Sequence, residues 1–166
     1  MQRDELRRQV KAVATHYGGR SLVEEFLDGR EFNVTVMGNR ELTALPVSEI
    51  TYALPPELPK LLTFSSKWEP ESVYYRHTDV VCPPDIDENL RQQLVTAAET
   101  SYRLVGCRGY ARVDMRLDAA GIVNVLEVNP NPDISPTSGA ARQIQNAGMT
   151  YAQFIARVIA LAREKP

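Results

Sequence analysis

Cysteine, clustered basic residues and long apolar runs are all scarce in this chain. Its 166 residues include only two cysteines, Cys82 and Cys107, and no CxxC pair, so neither a disulfide framework nor a zinc site is expected. The net charge of -2 with no basic block argues against nucleic acid as the main partner. No apolar run reaches the roughly 20 residues of a membrane span, and Met1–Asp4 opens no secretory signal. A cytoplasmic protein without a membrane partner is therefore expected.

What is present suits one folded domain over residues 1–166. The chain is 43% hydrophobic and 24% charged, which is ordinary for a globular protein with one core. Apolar residues at helical spacing predict a helix at Arg3–Tyr17, a second that begins at Asp85 and ends at Gly106, and a third that follows a T-x-x-Q capping box at Thr150. These helices alternate with strands, so an α+β fold is expected, an antiparallel sheet with helices packed on one face.

The strands are predicted from short apolar runs bounded by turn residues. Three of them would follow one another in the first third of the chain: Ser21–Leu27, Glu31–Met37 and Glu41–Val47. The proline-rich stretch from Ser48 to Ser66 is interpreted as a loop with a short strand at Leu61–Phe64, and Ser72–Val81 as a further strand.

The most informative stretch runs from Gly109 to Ser138. Arg112, Asp114 and Arg116 alternate with apolar residues, the period of a half-buried strand. A D-A-A-G turn and a second apolar run, Ile122–Val128, complete a β-hairpin.

Two registers of this hairpin are open. If Leu117 faces Ile122, Asp114 lies opposite Val125; with a bulge, Asp114 faces Glu127 directly. Both registers place the same polar set on one face of the sheet: Arg112, Asp114, Glu127 and Asn129.

That polar set is expensive to bury unless an ion is bound. Two carboxylates and an amide oxygen are hard ligands of the kind that Mg²⁺, or Mn²⁺, takes together with phosphates and water. The simpler alternative is a solvated face with an ordinary Arg–Asp pair. The proline-rich loop Asn129–Pro136 would end the strand and hold the neighbouring groups stiffly.

The motif R-x-D at Arg112–Asp114, a turn, E-x-N-x-x-P at Glu127–Pro132, and a serine nine residues after Asn129 resembles the C-terminal part of ATP-grasp enzymes. The resemblance is greatest to D-alanine–D-alanine ligases and related carboxylate–amine ligases. It implies the C-terminal lobe of an ATP-grasp fold. It also implies ATP and Mg²⁺ as cofactors, small carboxylate and amine substrates, and a reaction through an acyl phosphate.

The resemblance also assigns roles to residues that bind the nucleotide. The stretch V-E-E-F-L-D-G-R-E-F would hold the nucleoside, with the backbone near Phe26 and Leu27 against the adenine edge and Glu31 accepting from ribose hydroxyls. Glu24 and Glu25 belong to the same stretch.

Further roles implied by the resemblance concern the phosphates, the metal and the second substrate. Lys67 in F-S-S-K would reach the phosphates. Arg112 would be catalytic, stabilising an oxyanion or the transferred phosphoryl group, and Ser138 would bind the second substrate's carboxylate. The implied metal ligands are Asp114, Glu127 and Asn129.

The sequence departs from these ligases at two points. No glycine-rich phosphate loop is present, so the chain is expected to be part of a longer ligase with little activity alone. Pro132-Asp133 stands where these ligases carry Pro-Gly. The alternatives are a non-catalytic nucleotide- or metal-binding or interaction module, with a possible homodimer, and a hydrolase that uses Asp114 and Glu127 as acid and base.

Overall fold

An antiparallel sheet forms the centre of the protein, whose computed structural model describes residues 3–164. The strands lie in the order β4-β3-β1-β5-β6, and β2 pairs with β1. In chain order the elements are α1 Arg3–Tyr17, β1 Glu31–Gly38, β2 Leu42–Ala44, β3 Ser48–Tyr52, α2 Phe64–Trp68, α3 Val73–Arg76, β4 Thr78–Val81, α4 Glu88–Leu104, β5 Gly109–Leu117, β6 Val123–Asn129, α5 Gly139–Asn146 and α6 Tyr151–Arg163.

The main core lies between this sheet and α4. Strand β1 is buried along its whole length and pairs with β5 from end to end. Its alternate residues Phe32, Val34 and Val36 point to one face, where they pack with residues of α4 that include Leu94 and Tyr102. The expected α+β class with an antiparallel sheet is confirmed.

The opposite face of the sheet carries an apolar cluster at one end. There Met37 of β1 packs against α5 and α6 through Ile144 and Phe154. The remainder of this face carries the polar residues of β1 and β5, because they alternate with the core residues. The fold therefore gathers polar side chains on this face of the sheet, beside α5.

Gln143 of α5 fills a gap in the sheet. Strand β1 pairs with β3 up to Asn33 and with β2 from Val36, which leaves Thr35 between the two partners. The Gln143 Oε1 atom accepts from the Thr35 backbone N–H at 3.2 Å, and Nε2 donates to Asn33 Oδ1 at 3.0 Å. A fully buried side chain thus completes the hydrogen bonding of the central strand.

The first residues of α4 differ from the sequence-based prediction. Asp87, not Asp85, is the N-cap: its Oδ1 accepts from the Leu90 backbone N–H at 2.7 Å. The Asp85 carbonyl oxygen instead accepts from Arg30 Nη2 at 3.0 Å. Both aspartates carry the same capping chemistry, so the residue types alone do not decide between them. The capping box at Thr150 is confirmed.

Several predicted strands are wrong. Residues 21–29 form no strand, the third strand is shortened to β2, and Leu61–Phe64 forms no strand before α2. The predicted strand at Ser72–Val81 begins instead with helix α3, which Ser72 caps, and only β4 is extended. Conversely, β3 lies in the stretch interpreted as a loop. Its residues are recruited by pairing with β1 and β4, which is a long-range contact that local patterns do not encode.

Among residues 3–164 there is no helix with the length and apolar character that crossing a membrane requires.

Candidate functional site

The hairpin of β5 and β6 brings the predicted polar residues to one face. Leu117 pairs with Val123, and a bulge after Asp114 places Asp114 opposite Glu127 and Arg112 opposite Asn129. The simple register, with Leu117 facing Ile122, is therefore wrong, and the bulged alternative gives the observed carboxylate pair. The shared face expected in either case is confirmed.

Arg112 holds these carboxylates in a compact cluster. Its Nε and Nη2 atoms donate to the two oxygens of Asp114 at 2.6 and 2.7 Å, and Nη2 lies 3.8 Å from Glu127 Oε1. The hydrogen bond to Asp114 is the main reason that the pKa of Arg112 is raised. Burial raises the pKa of Glu127, and the adjacent Asp114 raises it further. One guanidinium therefore only partly compensates two carboxylates.

A divalent cation fits this donor set. Asp114 and Glu127 supply carboxylate oxygens, and Asn129 follows two residues later with an amide whose Oδ1 accepts from the Asn131 N–H at 2.9 Å. Within the part of the chain that the structure describes, no three His, Cys, Asp or Glu side chains converge as a metal site. Mg²⁺ is typically held by one or two carboxylates and takes its other ligands from water and phosphate. The metal assignment stays a prediction that agrees with the chemistry of the residues.

A cleft of about 490 Å³ opens beside this cluster. Most of the residues proposed from the sequence line it, although they come from five separate segments of the chain. Its lining comprises Glu24, Glu25, Phe26, Leu27, Glu31, Leu61, Leu62, Lys67, Asp114, Arg116, Leu126 and Glu127. Burial raises the pKa of Glu31 and of Glu127, and Lys67 on α2 lies near enough to both to oppose this rise. The cleft therefore combines two cationic side chains, Lys67 and Arg116, with several carboxylates and a few apolar residues.

Glu31 is the buried carboxylate of the cleft. It is only 6% exposed, and burial raises its pKa above the ordinary glutamate value. Tyr52 Oη donates to Glu31 Oε2 at 2.7 Å, and Arg116 Nη1 donates to the same oxygen at 3.2 Å. The Tyr52 pKa is raised by burial first and by Glu31 second, so its hydroxyl remains a donor. These partners keep Glu31 in place at the inner end of the cleft.

Arg116 and Tyr52 are site residues to which the sequence pattern assigned no role. Arg116 is 3% exposed, donates through Nε to the Gly29 carbonyl oxygen at 3.1 Å, and lies over the ring of Phe26 at 5.1 Å. Its Nη2 atom has no hydrogen-bond partner among residues 3–164. The alternation of β5 puts Arg116 on the same face as Arg112 and Asp114, and this could have identified Arg116 as a site residue. Tyr52 was missed because β3 was interpreted as a loop.

The stretch around Phe26 and Leu27 lines the cleft without belonging to the sheet. Glu24, Glu25 and Phe26 are exposed, and no backbone hydrogen bond among the described residues involves residues 24–27. It is anchored further on, where the Gly29 N–H donates to Leu117 O at 3.1 Å. A Cβ at Gly29 would lie 2.2 Å from that carbonyl oxygen, so only glycine allows this approach. The residues that line the cleft here thus have backbone donors and acceptors without a backbone partner among the described residues.

The family of D-ala D-ala ligase C-termini matches residues 1–160 of the chain. The chain belongs to this family. Among its relatives, an uncharacterized protein of Sinorhizobium fredii is 34% identical over 161 residues, 97% of this chain and 46% of the relative. A D-alanine–D-alanine ligase of Desulforudis audaxviator is 29% identical over 163 residues, 98% of this chain and 49% of that ligase. The chain thus spans about half the length of the curated relatives that it matches.

Solved structures agree on the fold. The D-alanine–D-alanine ligase from Bacillus anthracis, complexed with ATP, matches with a TM-score of 0.74 at 22% identity, over 97% of this chain and 47% of that structure. At this identity the match shows the fold alone, which is the C-terminal lobe of the ATP-grasp ligases.

Three predicted site residues of this family member lie outside the cleft lining: Arg112, Asn129 and Ser138. Arg112 and Asn129 remain joined to it through the hairpin pairing described above. Ser138 is the N-cap of α5, where its Oγ accepts from the Ala141 N–H at 3.2 Å. Its predicted role toward a second substrate stays a prediction.

Proposed function

We propose that this protein is the nucleotide- and metal-binding part of an ATP-dependent carboxylate–amine ligase of the D-alanine–D-alanine ligase kind. The observation that carries the proposal is the cleft in which Glu31, Lys67, Asp114 and Glu127 meet. The names of the relatives and the ATP-bound structural neighbour support the same assignment.

The nucleoside end of ATP would lie against residues 24–27. Backbone groups at Phe26 and Leu27 are not engaged in the sheet, so they can pair with the adenine edge. Glu31, which lines the cleft, would accept from ribose hydroxyls, and the exposed Glu24 and Glu25 would form a polar rim. Lys67, a flexible cation on a short helix, would reach the phosphates.

Asp114, Glu127 and Asn129 would hold Mg²⁺ or Mn²⁺. The ion would supply positive charge to the β- and γ-phosphates as the phosphoryl group moves. Arg112 orients Asp114 through two hydrogen bonds and stays charged, so it adds positive charge next to the metal ligands. We assign it to stabilising the phosphoryl group or the oxyanion.

The reaction proposed for the whole ligase has two steps. A carboxylate oxygen of the first substrate attacks the γ-phosphorus, ADP leaves, and an acyl phosphate forms. The amine of the second substrate then attacks the acyl carbon, the C–O bond breaks, and inorganic phosphate leaves. Ser138 is assigned to the second substrate's carboxylate, and Asp133 is the neighbouring departure from the Pro-Gly of the ligases.

A titration of Mg²⁺–ADP into the chain tests the metal and nucleotide assignment. We expect measurable but weak binding, because the chain spans about half the length of its relatives. Glu127→Gln removes one metal-binding carboxylate and should weaken Mg²⁺–ADP binding at least about tenfold, the scale of one charge-assisted contact. Mn²⁺ binding should weaken in parallel.

Glu57→Gln is the matched control, since Glu57 is exposed and does not line the cleft. It should bind like the unmodified chain. Equal binding by the Glu127→Gln chain would make the metal assignment wrong. No binding by the unmodified chain, even at millimolar nucleotide, would contradict nucleotide binding by these residues.

A second candidate, an interaction module that pairs with another chain or another copy, is favoured by one observation. Leu22, Phe64 and Trp68 are large apolar residues that remain exposed among residues 3–164. Apolar exposure of this kind marks association surfaces when it is contiguous. Sedimentation over a concentration series tests it: a monomer that still binds Mg²⁺–ADP would leave the ligase assignment as the better one.

A further inference from the structure

The two carboxylate oxygens of Glu31 have unequal surroundings. Tyr52 Oη and Arg116 Nη1 both donate to Oε2, at 2.7 and 3.2 Å. Neither of these hydrogen bonds reaches Oε1, and Glu31 lines the cleft. A carboxylate can accept about four hydrogen bonds, so Oε1 keeps its accepting capacity for a ligand.

The two donors approach Glu31 from opposite sides of β1. Tyr52 lies at the end of β3, and Arg116 lies on β5, directly paired with Glu31 in the sheet. Arg116 is itself fixed by its second hydrogen bond, to the Gly29 carbonyl oxygen, and by the ring of Phe26. The orientation of the Glu31 carboxylate is therefore set from two neighbouring strands, and the Arg116 donor is held by contacts of its own.

We propose that Tyr52 and Arg116 are positioning residues that hold Glu31 Oε2, so that Oε1 accepts a hydrogen bond from a ribose hydroxyl and the cleft prefers ribonucleotides to deoxyribonucleotides. This inference rests on the nucleotide-binding function proposed above. A sugar that lacks the hydroxyl leaves a desolvated carboxylate oxygen without a donor, and such mismatches are rejected strongly. The ligand class is thus a nucleoside triphosphate with an intact diol.

The test compares the binding of Mg²⁺–ATP with that of its 2′-deoxy and 3′-deoxy analogues by calorimetry. The unmodified chain should bind ATP about tenfold or more tightly than at least one analogue, the scale of a charge-assisted hydrogen bond. Tyr52→Phe keeps the ring and removes the donor. It should reduce this preference about fivefold, through weaker ATP binding and not through a change in affinity for the deoxy analogue.

Arg116→Lys is the second variant. It keeps the positive charge but loses the paired contacts to Glu31 and Gly29, so it should reduce the preference for ATP over the deoxy analogue in the same way.

Tyr110→Phe is the matched control. Tyr110 lies on the same sheet face and donates to Asn131 Oδ1 at 3.3 Å, outside the cleft lining. The Tyr110→Phe chain should prefer ATP over the deoxy analogues as strongly as the unmodified chain does. Thermal unfolding should show that all variants are folded.

The outcomes separate the two proposals. ATP binding without a preference for the diol overturns this inference and leaves the nucleotide site standing. Equal weakening of ATP and both deoxy analogues by Tyr52→Phe also overturns it, since a merely structural tyrosine would act that way. No binding of any of the three nucleotides overturns the proposed function as well.

Discussion

Glu31 shows how a single position joins fold and function. It begins the central strand β1, and its side chain lies at the inner end of the cleft, 8% exposed, between Tyr52 and Arg116. A carboxylate at such a place is tolerated because two donors meet it, yet burial still outweighs them and raises its pKa. The fold therefore gives up some stability to keep an acceptor in the cleft.

This cost predicts a pH effect. A carboxyl group whose pKa is higher in the folded state binds more protons when folded, so the stability from its protonation is present at low pH and is lost as pH rises through the folded pKa. Glu31→Gln keeps acceptors for Tyr52 and removes the titration. Urea unfolding at pH values upward from 4.5, the reference for glutamate, should show the variant gaining stability relative to the unmodified chain.

A Glu31→Gln advantage that shrinks as pH rises would mean that the pKa of Glu31 is lowered in the folded protein, contrary to this interpretation.

At the scale of elements, α4 is the support of the sheet's core face. Its buried residues Leu94, Ala98 and Tyr102 pack on β1 and β5, and the Tyr102 hydroxyl donates to the Gly38 carbonyl oxygen at 2.7 Å. The helix begins where Asp87 meets the Leu90 N–H. The start of α4 therefore depends on the Asp87 side chain, although the sequence alone would allow Asp85 to cap the helix.

Asp87→Ala should lower the free energy of unfolding by about 1 kcal/mol, the usual value of an N-cap. The matched variant Asp85→Ala should cost less than about 0.5 kcal/mol, since it removes an exposed side chain without a capping contact. Urea denaturation of both variants measures the difference. A larger loss at Asp85 than at Asp87 would show that the helix begins earlier than described.

At the scale of the whole molecule, the helices differ in how well they are packed. The core between the sheet and α4 is fully buried, whereas α1 has no buried residue, and Val13 and Tyr17 are exposed. The Ser21 hydroxyl donates to the Val10 carbonyl oxygen at 3.0 Å, one of few contacts that α1 makes. A helix without a packed face has little stability of its own.

Hydrogen exchange should therefore separate the two helices. We expect amides of α1 to exchange at least about 100-fold faster than those in the middle of α4, because local opening of α1 breaks almost no apolar contact. Mass spectrometry of peptides from each helix measures this. Equal protection would show that α1 is covered in solution, and loss of that protection on dilution would identify a second copy as the cover.

The sequence by itself determined the features that depend on neighbours along the chain. Alternation in β5 placed Arg112, Asp114 and Arg116 on one face, and the spacing of Glu127 and Asn129 added the partner strand. The capping box at Thr150 was equally local. These predictions succeeded because strand periodicity and capping need only a few adjacent residues.

Only the tertiary structure decided the features that depend on distant partners. The strand that carries Tyr52 forms by pairing with β1 and β4, which lie further away in sequence. The bulge after Asp114 and the choice of Asp87 as the N-cap are local features that the residue pattern left open and the structure decided. The cleft itself joins residues 24–31, Lys67 and the hairpin. Most of the residues that line the cleft could be proposed from a family resemblance. The contacts of Glu31 with Tyr52 and Arg116 could not, because burial and strand pairing are properties of the whole fold.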